Sequence, residues 1–381
     1  MAKKNGGDAY KKLVRVLLVL FVLAIICGAG YVLMDRSIQA QNEDNAKYAA
    51  QENALQMEQY RQAVAEWQKQ EEKEEDAPSR PQPKTEGMDV VDLTGFELKN
   101  AYETSVTRKE LLLGSMMLVN KWHELPADFY QAAEESMMAI YQVDKSIPVS
   151  GSGVKLLPDS LAALGNMLKG AKEQAGLENY LIEAGYRTME KQQQFYAEEE
   201  KKYESRYSGE ALKQKTVASG VNYPGTSEYQ SGHSFNPRRY LQGDSEFNSI
   251  KFYDSPHSDW LLENGWKYGF VFRFPVEGYP NETVVDKSFK TGVSSKLMIY
   301  RYVGEGHAAV MHTLGMCMEE YIEYLMDHPY IALYEDGTLK YEITRINTAA
   351  EDGATVKISG NARDYSVSMD NCGGVIVCMA Y

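Results

Sequence analysis

The stretch from Val16 to Met34 is almost wholly apolar and carries no charge. At a helical rise of about 1.5 Å per residue it is just long enough to cross a hydrocarbon core. Lys3, Lys4, Lys11, Lys12 and Arg15 precede it, and acidic, Gln-rich sequence follows. The positive-inside rule then places residues 1–15 in the cytoplasm as a basic tail, 16–34 in the membrane as a single-pass type II anchor, and the rest outside. A cleaved signal peptide competes with this reading, but Tyr31 to Met34 carry the apolar run past Gly28-Ala29-Gly30, where cleavage would have to fall.

Residues 35–88 read as a helical stalk and linker. Ala46, Ala50, Met57, Tyr60, Val64 and Trp67 stand at spacings consistent with a and d heptad positions, with Asn53 at the seam. That pattern fits a paired, homodimeric stalk, and a lone solvated helix fits it equally. Pro78, Pro81 and Pro83 then break any helix.

The 381 residues carry a net charge of -14 with no dense Lys/Arg run beyond the first residues, a balance that repels phosphate backbones and argues against nucleic-acid partners. The 4 cysteines, Cys27, Cys317, Cys372 and Cys378, form no zinc-type cluster. Cys317 reads as a small buried hydrophobe, and only Cys372 and Cys378 could pair.

Beyond the linker, Arg108–Lys121, Pro126–Tyr141 and Leu157–Leu177 carry helical periodicity. Tyr180–Ala184 reads as a strand and Thr188–Tyr203 as a polar helix. From Pro329 onward, Tyr330–Tyr334, Leu339–Ile343, Thr355–Ile358, Tyr365–Met369 and Val375–Met379 read as short strands, with Asp336-Gly337 and Asn371-Cys372-Gly373-Gly374 as turns. The class is α+β, with a main domain over 89–328 and a β-rich C-terminal extension over 329–381.

Several segments recur in a known order. They are Leu118-Val119-Asn120-Lys121-Trp122-His123-Glu124-Leu125-Pro126, Gly185-Tyr186-Arg187-Thr188 with Gln192 beyond, Pro224 to Gly232, Trp260-Leu261, Lys267-Tyr268-Gly269-Phe270, and Tyr300-Arg301-Tyr302-Val303-Gly304. Together they resemble the VanY-type D-alanyl-D-alanine carboxypeptidases, zinc peptidases of the group that includes the hedgehog signalling domain. The resemblance implies a bacterial cell-wall domain, a small antiparallel sheet flanked by helices, and a zinc cleft that accepts D-Ala-D-Ala ends of peptidoglycan stem peptides.

The family takes a His and an Asp from Ser-x-His-x-x-Gly-x-Ala-x-Asp, and a second His and the general-base Glu from Glu-Pro-Trp-His. On the first pattern, which runs from Ser227 to Asn236, Tyr229 stands at the His position and Asn236 at the Asp position. On the second, bounded by Thr291-Gly292 and Tyr300, Lys296 replaces the Glu and Ile299 the His. A phenol with a pKa of about 10, an amide and an aliphatic chain are poor or impossible zinc ligands, and an ammonium repels the cation. The expectation is therefore a domain without zinc or any other cofactor and without the family's catalytic residues.

Arg187, Gln192 and Ser227 match positions that line the family's cleft, and Lys296 could fill the vacated space as a fixed cation. Arg187 and Lys296 would then hold a carboxylate. Blander roles are an ion pair for Arg187, a loop-shaping hydroxyl for Ser227 and a solvated surface for Lys296. His233, Asp254 with His257, His307, His312 and His123 are weak ligand candidates, and the Ser152/Lys155 and Ser227/Lys296 pairs are weak nucleophile candidates.

Three functions follow from this reading. The chain is a pseudoenzyme that binds a stem peptide or a wall protein, an active carboxypeptidase or dipeptidase with a non-standard metal site, or a structural module that displays its β extension.

Overall fold

The computed structural model describes residues 14, 17–19, 22, 54, 57–61 and 80–381. Most of the expected anchor and stalk lies outside the described residues. Among the described residues no helix is long and apolar enough to cross a membrane. Residues from Glu52 onward form one compact unit.

In chain order the strands are β1 (Met88–Asp92), β2 (Ala101–Val106), β3 (Met138–Ala139), β4 (Lys155–Leu156), β5 (Tyr180–Ala184), β6 (Ser234–Arg239), β7 (Phe270–Phe272) and β8 (Tyr300–Tyr302). They continue with β9 (Tyr330–Glu335), β10 (Thr338–Asn347), β11 (Ala354–Ser359), β12 (Asp364–Met369) and β13 (Gly374–Ala380). The fold is a mixture of helices and antiparallel sheets.

A four-stranded sheet in the order β5-β6-β8-β7 carries the cleft. Its register sets Ala184 against Asn236, Phe235 against Tyr300 and Val271 against Arg301. The helix Pro158–Ala175 covers one face. Pro158 occupies its first turn, where no amide partner is lost, and Gly176 closes it at φ 65, a conformation that disfavours side chains. Leu161, Leu164, Met167 and Ala171 recur at helical spacing and pack with Ile182, Phe235, Phe270 and Tyr300 in one core.

A second, five-stranded sheet has the order β1-β9-β10-β13-β12, and β2 pairs with β11 alongside it. The C-terminal strands therefore take partners from the start of the domain: Met88 faces Glu335 and Val106 faces Ala354. They also share cores with it. Leu111, Met117 and Phe129 pack with Val356, Val375 and Met379, while Met318, Tyr321 and Val310 pack with Ile331, Ile343 and Ile376.

The expected helix over Arg108–Lys121 is cut short. Thr107 and Glu110 cap its start reciprocally, and it spans only Arg108–Leu112. Gly114 then presses against β12, where a Cβ would stand 2.4 Å from the Val367 carbonyl oxygen. Met116 to Asn120 then run irregularly and buried, with the Met116 amide donating to Ser368 Oγ at 3.0 Å and the Leu118 amide to the Asp370 carbonyl at 3.1 Å. Sheet contacts outweigh the helical periodicity of this segment. Likewise the helix expected over Pro126–Tyr141 spans Ala127–Ser136, with β3 and a short helical turn, Ile140–Val143, after it.

Cys317, Cys372 and Cys378 are free thiols, so Cys372 and Cys378 do not pair. Met57 and Tyr60, expected at the seam of a stalk dimer, face their own domain: the Tyr60 hydroxyl donates to the Met326 carbonyl at 3.2 Å.

A Gly114→Ala substitution should destabilise the domain by about 1–3 kcal/mol, the usual range for overpacking. Urea unfolding with an unchanged m-value would register this as a lower midpoint.

Candidate functional site

The loop that carries the cleft residues is held from beneath by a buried charge network. Glu228, Arg273 and Arg301 are 2%, 1% and 0% exposed. Glu228 Oε1 accepts from Arg301 Nη1 at 2.6 Å and from Ser234 Oγ at 2.6 Å, and its Oε2 accepts from Arg273 Nε at 2.8 Å. Arg273 continues as a two-pronged pair to Glu319, at 2.9 and 2.7 Å, and Asn120 Nδ2 donates to the same carboxylate at 3.0 Å. Arg301 Nη2 also donates to the carbonyls of Ser115 and Met117, at 2.8 and 3.0 Å. Burial pushes the Glu228 carboxyl upward, but Arg301, Arg273 and Ser234 outweigh it and hold the pKa below its ordinary value.

Above this network the structure brings together Tyr229, Asn236 and Ile299, the three residues that the motif alignment sets at ligand positions. Tyr229 and Ile299 belong to one apolar cluster with Phe274, Val293 and Leu297. Asn236 Nδ2 donates to the Tyr229 hydroxyl at 3.5 Å. Ile299 is placed there by its backbone, whose carbonyl accepts the Arg273 amide at 2.9 Å. Burial raises the Tyr229 phenol pKa against the pull of Arg187, so the group stays protonated at neutral pH. A protonated phenol, an amide and an isoleucine do not fit a zinc ion. Among the described residues no three His, Cys, Asp or Glu side chains gather where they could hold a metal.

Arg187 lies over this cluster. Its guanidinium carbon sits 3.8 Å from the Tyr229 ring centroid and 4.5 Å from that of Phe195. Its backbone amide donates to the Tyr229 carbonyl at 2.9 Å. Nη1 donates to Gln192 Oε1 at 3.3 Å, and buried Gln192 in turn donates to the Asn222 carbonyl at 2.8 Å. Burial lowers the Arg187 pKa. Among the described residues no carboxylate pairs with Arg187.

Lys296 is exposed, with Nζ 5.6 Å from the Tyr279 ring centroid. Ser227 is buried at the start of the turn Glu228–Gln230, and its carbonyl accepts the Gln230 amide at 2.8 Å.

The remaining candidates have structural partners. His233 Nε2 donates to the Leu113 carbonyl at 3.2 Å and Nδ1 takes the Ser160 hydroxyl at 2.7 Å, while burial and Arg301 push its pKa down to about 3. His257 stands in the helix Pro256–Asn264, and its Nε2 donates to the Glu178 carbonyl at 2.6 Å. His307 Nδ1 meets the Tyr321 hydroxyl at 2.8 Å, and His312 stacks on Trp266 at 4.5 Å. His123 Nδ1 donates to Asn120 at 2.9 Å, and burial lowers its pKa to about 4. Ser152 lies on an exposed loop, and Lys155 lies in β4.

The VanY family, described as D-alanyl-D-alanine carboxypeptidase, matches residues 154–288. A D-alanyl-D-alanine carboxypeptidase of Enterococcus faecium is 25% identical over 282 residues, which cover 73% of this chain and 79% of that protein. Another, from Enterococcus faecalis, is 33% identical over 142 residues, 37% of this chain and 47% of its own length. The chain is VanY-like.

The VanY-like fold has a solved counterpart in the vancomycin-resistance D,D-dipeptidase VanXYg, with TM-score 0.55 and 20% identity, covering 74% of this chain and 99% of that one. Within the VanY-like chain, Glu228 and Arg301 lie inside motifs legible from the sequence, yet their pairing does not show there. Arg273 carries a faint signal, a charge set inside the aromatic run Phe270-Val271-Phe272-Arg273-Phe274.

Glu228→Gln should cost about 3–5 kcal/mol, because it leaves buried arginine charge uncompensated. The folded-state pKa of Glu228 lies below its ordinary 4.5, so its stabilisation is complete above that value and is lost as the pH falls toward the folded pKa. Acid titration of stability should therefore be flatter in the Gln variant than in the wild type.

Proposed function

We propose that the VanY-like domain is a non-catalytic receptor that binds the carboxylate end of a peptidoglycan stem peptide without cleaving it. One observation carries this reading: Arg187, held over the rings of Tyr229 and Phe195 and lacking a carboxylate partner among the described residues, stands over the cluster of Tyr229, Asn236 and Ile299. A guanidinium held in this way is oriented before the ligand arrives, so little side-chain freedom is lost on binding. Its free N–H edges match a carboxylate.

The relatives support the ligand class, since those named above are carboxypeptidases and a dipeptidase of D-alanyl-D-alanine chemistry. The reading includes the type II anchor from Val16 to Met34, which would hold the domain on the outer side of a bacterial membrane, facing the wall. Lys296 has a secondary place in it, as an exposed cation that reaches a longer ligand from the rim.

Calorimetry with a stem peptide ending in D-Ala-D-Ala tests the proposal. Binding should be measurable for the wild type. Arg187→Ala should weaken it by on the order of ten- to a hundred-fold, the worth of a charge-assisted hydrogen bond at about 1.5–3 kcal/mol. Lys296→Ala should weaken it less. Heat no greater than dilution for the wild type, or full affinity in the Arg187 variant, would defeat the reading and favour a module that only displays its β strands.

A further inference from the structure

Arg239 ends β6 on the face that carries Phe235, opposite the face that carries Asn236 and the cleft. It is 7% exposed, and among the described residues its Nε–H meets no acceptor and its guanidinium no carboxylate. The Phe247 ring covers the guanidinium, with 3.8 Å from its centroid to Cζ. His257 is 6% exposed and lies beside the same ring at 6.0 Å between centroids, with the Tyr180 ring at 4.8 Å. Its Nε2 donates to the Glu178 carbonyl, while its Nδ1 is buried without a partner. A carbonyl only accepts, so the proton sits on Nε2, and Nδ1 of the neutral ring is a bare acceptor. Burial first, and then the Arg239 charge, lower the His257 pKa and favour that neutral form. Tyr240, the residue after Arg239, is exposed, so the pair lies just beneath the surface.

Buried polar groups are ordinarily paired, and each exception calls for a physical reason. A ligand that satisfies both residues must accept from Arg239 Nε–H, donate to His257 Nδ1 and carry negative charge against the guanidinium. An ordered water does the first two but leaves a buried cation unbalanced, which is the costlier defect. A carboxylate accepts and carries charge, yet at neutral pH it has no proton to give. A phosphate that keeps one hydroxyl does all three. His257 also stands in the first turn of the helix Pro256–Asn264, whose start no side chain caps, and that end of a helix favours an anion.

We propose that Arg239 and His257 form a phosphate-binding site on the face of the sheet opposite the cleft. Arg239 Nε–H meets a charged phosphate oxygen, and the phosphate hydroxyl donates to His257 Nδ1. The acid-x-x-His spacing of Asp254 and His257 thereby takes a different meaning. Asp254 is exposed, and the group that acts with His257 is Arg239. This site is separate from the one over Tyr229 and stands whether or not a stem peptide binds there.

The full chain, in detergent at neutral pH, is titrated calorimetrically with inorganic phosphate and with sulfate. Phosphate binding should saturate. Sulfate has the same shape but no proton to donate, and it should bind roughly ten-fold more weakly, the worth of one hydrogen bond to a charged group. Arg239→Met keeps the side chain's length without its charge and should weaken phosphate binding by roughly ten- to a hundred-fold. Arg187→Ala should bind phosphate as the wild type does, which separates this site from the cleft. A measurement on the wild type alone covers the case in which the Arg239 variant fails to fold: the ¹⁵N signal of His257 Nδ1 should move as phosphate is added. Glycerol phosphate, which keeps its proton on a minor share of molecules at neutral pH, names the source. Competition with inorganic phosphate assigns the site to a phosphomonoester and its absence to the free ion, and either supports the site. Heat no greater than dilution, equal affinity for sulfate, full affinity in Arg239→Met, lost affinity in Arg187→Ala or an unmoved His257 signal would each overturn the proposal.

Discussion

Two arginines and two glutamates, closed against each other away from water, hold the VanY-like domain together at the point where its parts converge. Glu228 belongs to the cleft loop, Arg301 to β8, Arg273 to the residue after β7 and Glu319 to the helix Met318–Asp327. Each charge alone would be costly to bury, and together they are neutral and fully hydrogen-bonded. The network also pins the irregular segment after Gly114 through the carbonyls of Ser115 and Met117. Removing any member leaves its partner charged in a dry interior, so the elements are fixed relative to one another by mutual necessity rather than by surface fit alone.

That rigidity gives the cleft its character. With the loop fixed beneath it, Tyr229 has one place to lie, in apolar contact with Ile299 and under the Arg187 guanidinium. The cation and the phenol face reinforce each other. Where a metal site would need converging lone pairs, this chain has a hydrophobic cluster capped by a positive charge. The electrostatic sense of the space suits an anion, and the cation is supplied by the protein.

Much of this was legible in the sequence. Pro158, Gly176 and the periodicity between them specify the helix that backs the cleft, and Asp336-Gly337 together with the alternation around it specifies the β9–β10 hairpin, whose turn has φ 49 and 73 at those residues. Tyr229, Asn236 and Ile299 could be picked out as a group from the motifs that flank them, and the structure brings them together. Long-range pairing was not legible. The pairing of β1 with β9 and of β2 with β11 spans the whole domain, and local pattern carries no record of it. The segment after Leu112 has helical spacing, and only the approach of β12 to Gly114 shows why it leaves the helix. The charge network stayed hidden for a similar reason: Glu228 and Glu319 look like solvated acids until their burial is known.

The central claim concerns what the cleft can hold. The most direct measurement is the zinc content of the purified full chain after equilibration with excess Zn²⁺ and dialysis, read alongside D-alanine release from a stem peptide ending in D-Ala-D-Ala. The account predicts far less than one zinc per chain and no D-alanine above the buffer control. One tightly held equivalent of zinc, with peptide hydrolysis that a chelator abolishes, would contradict it.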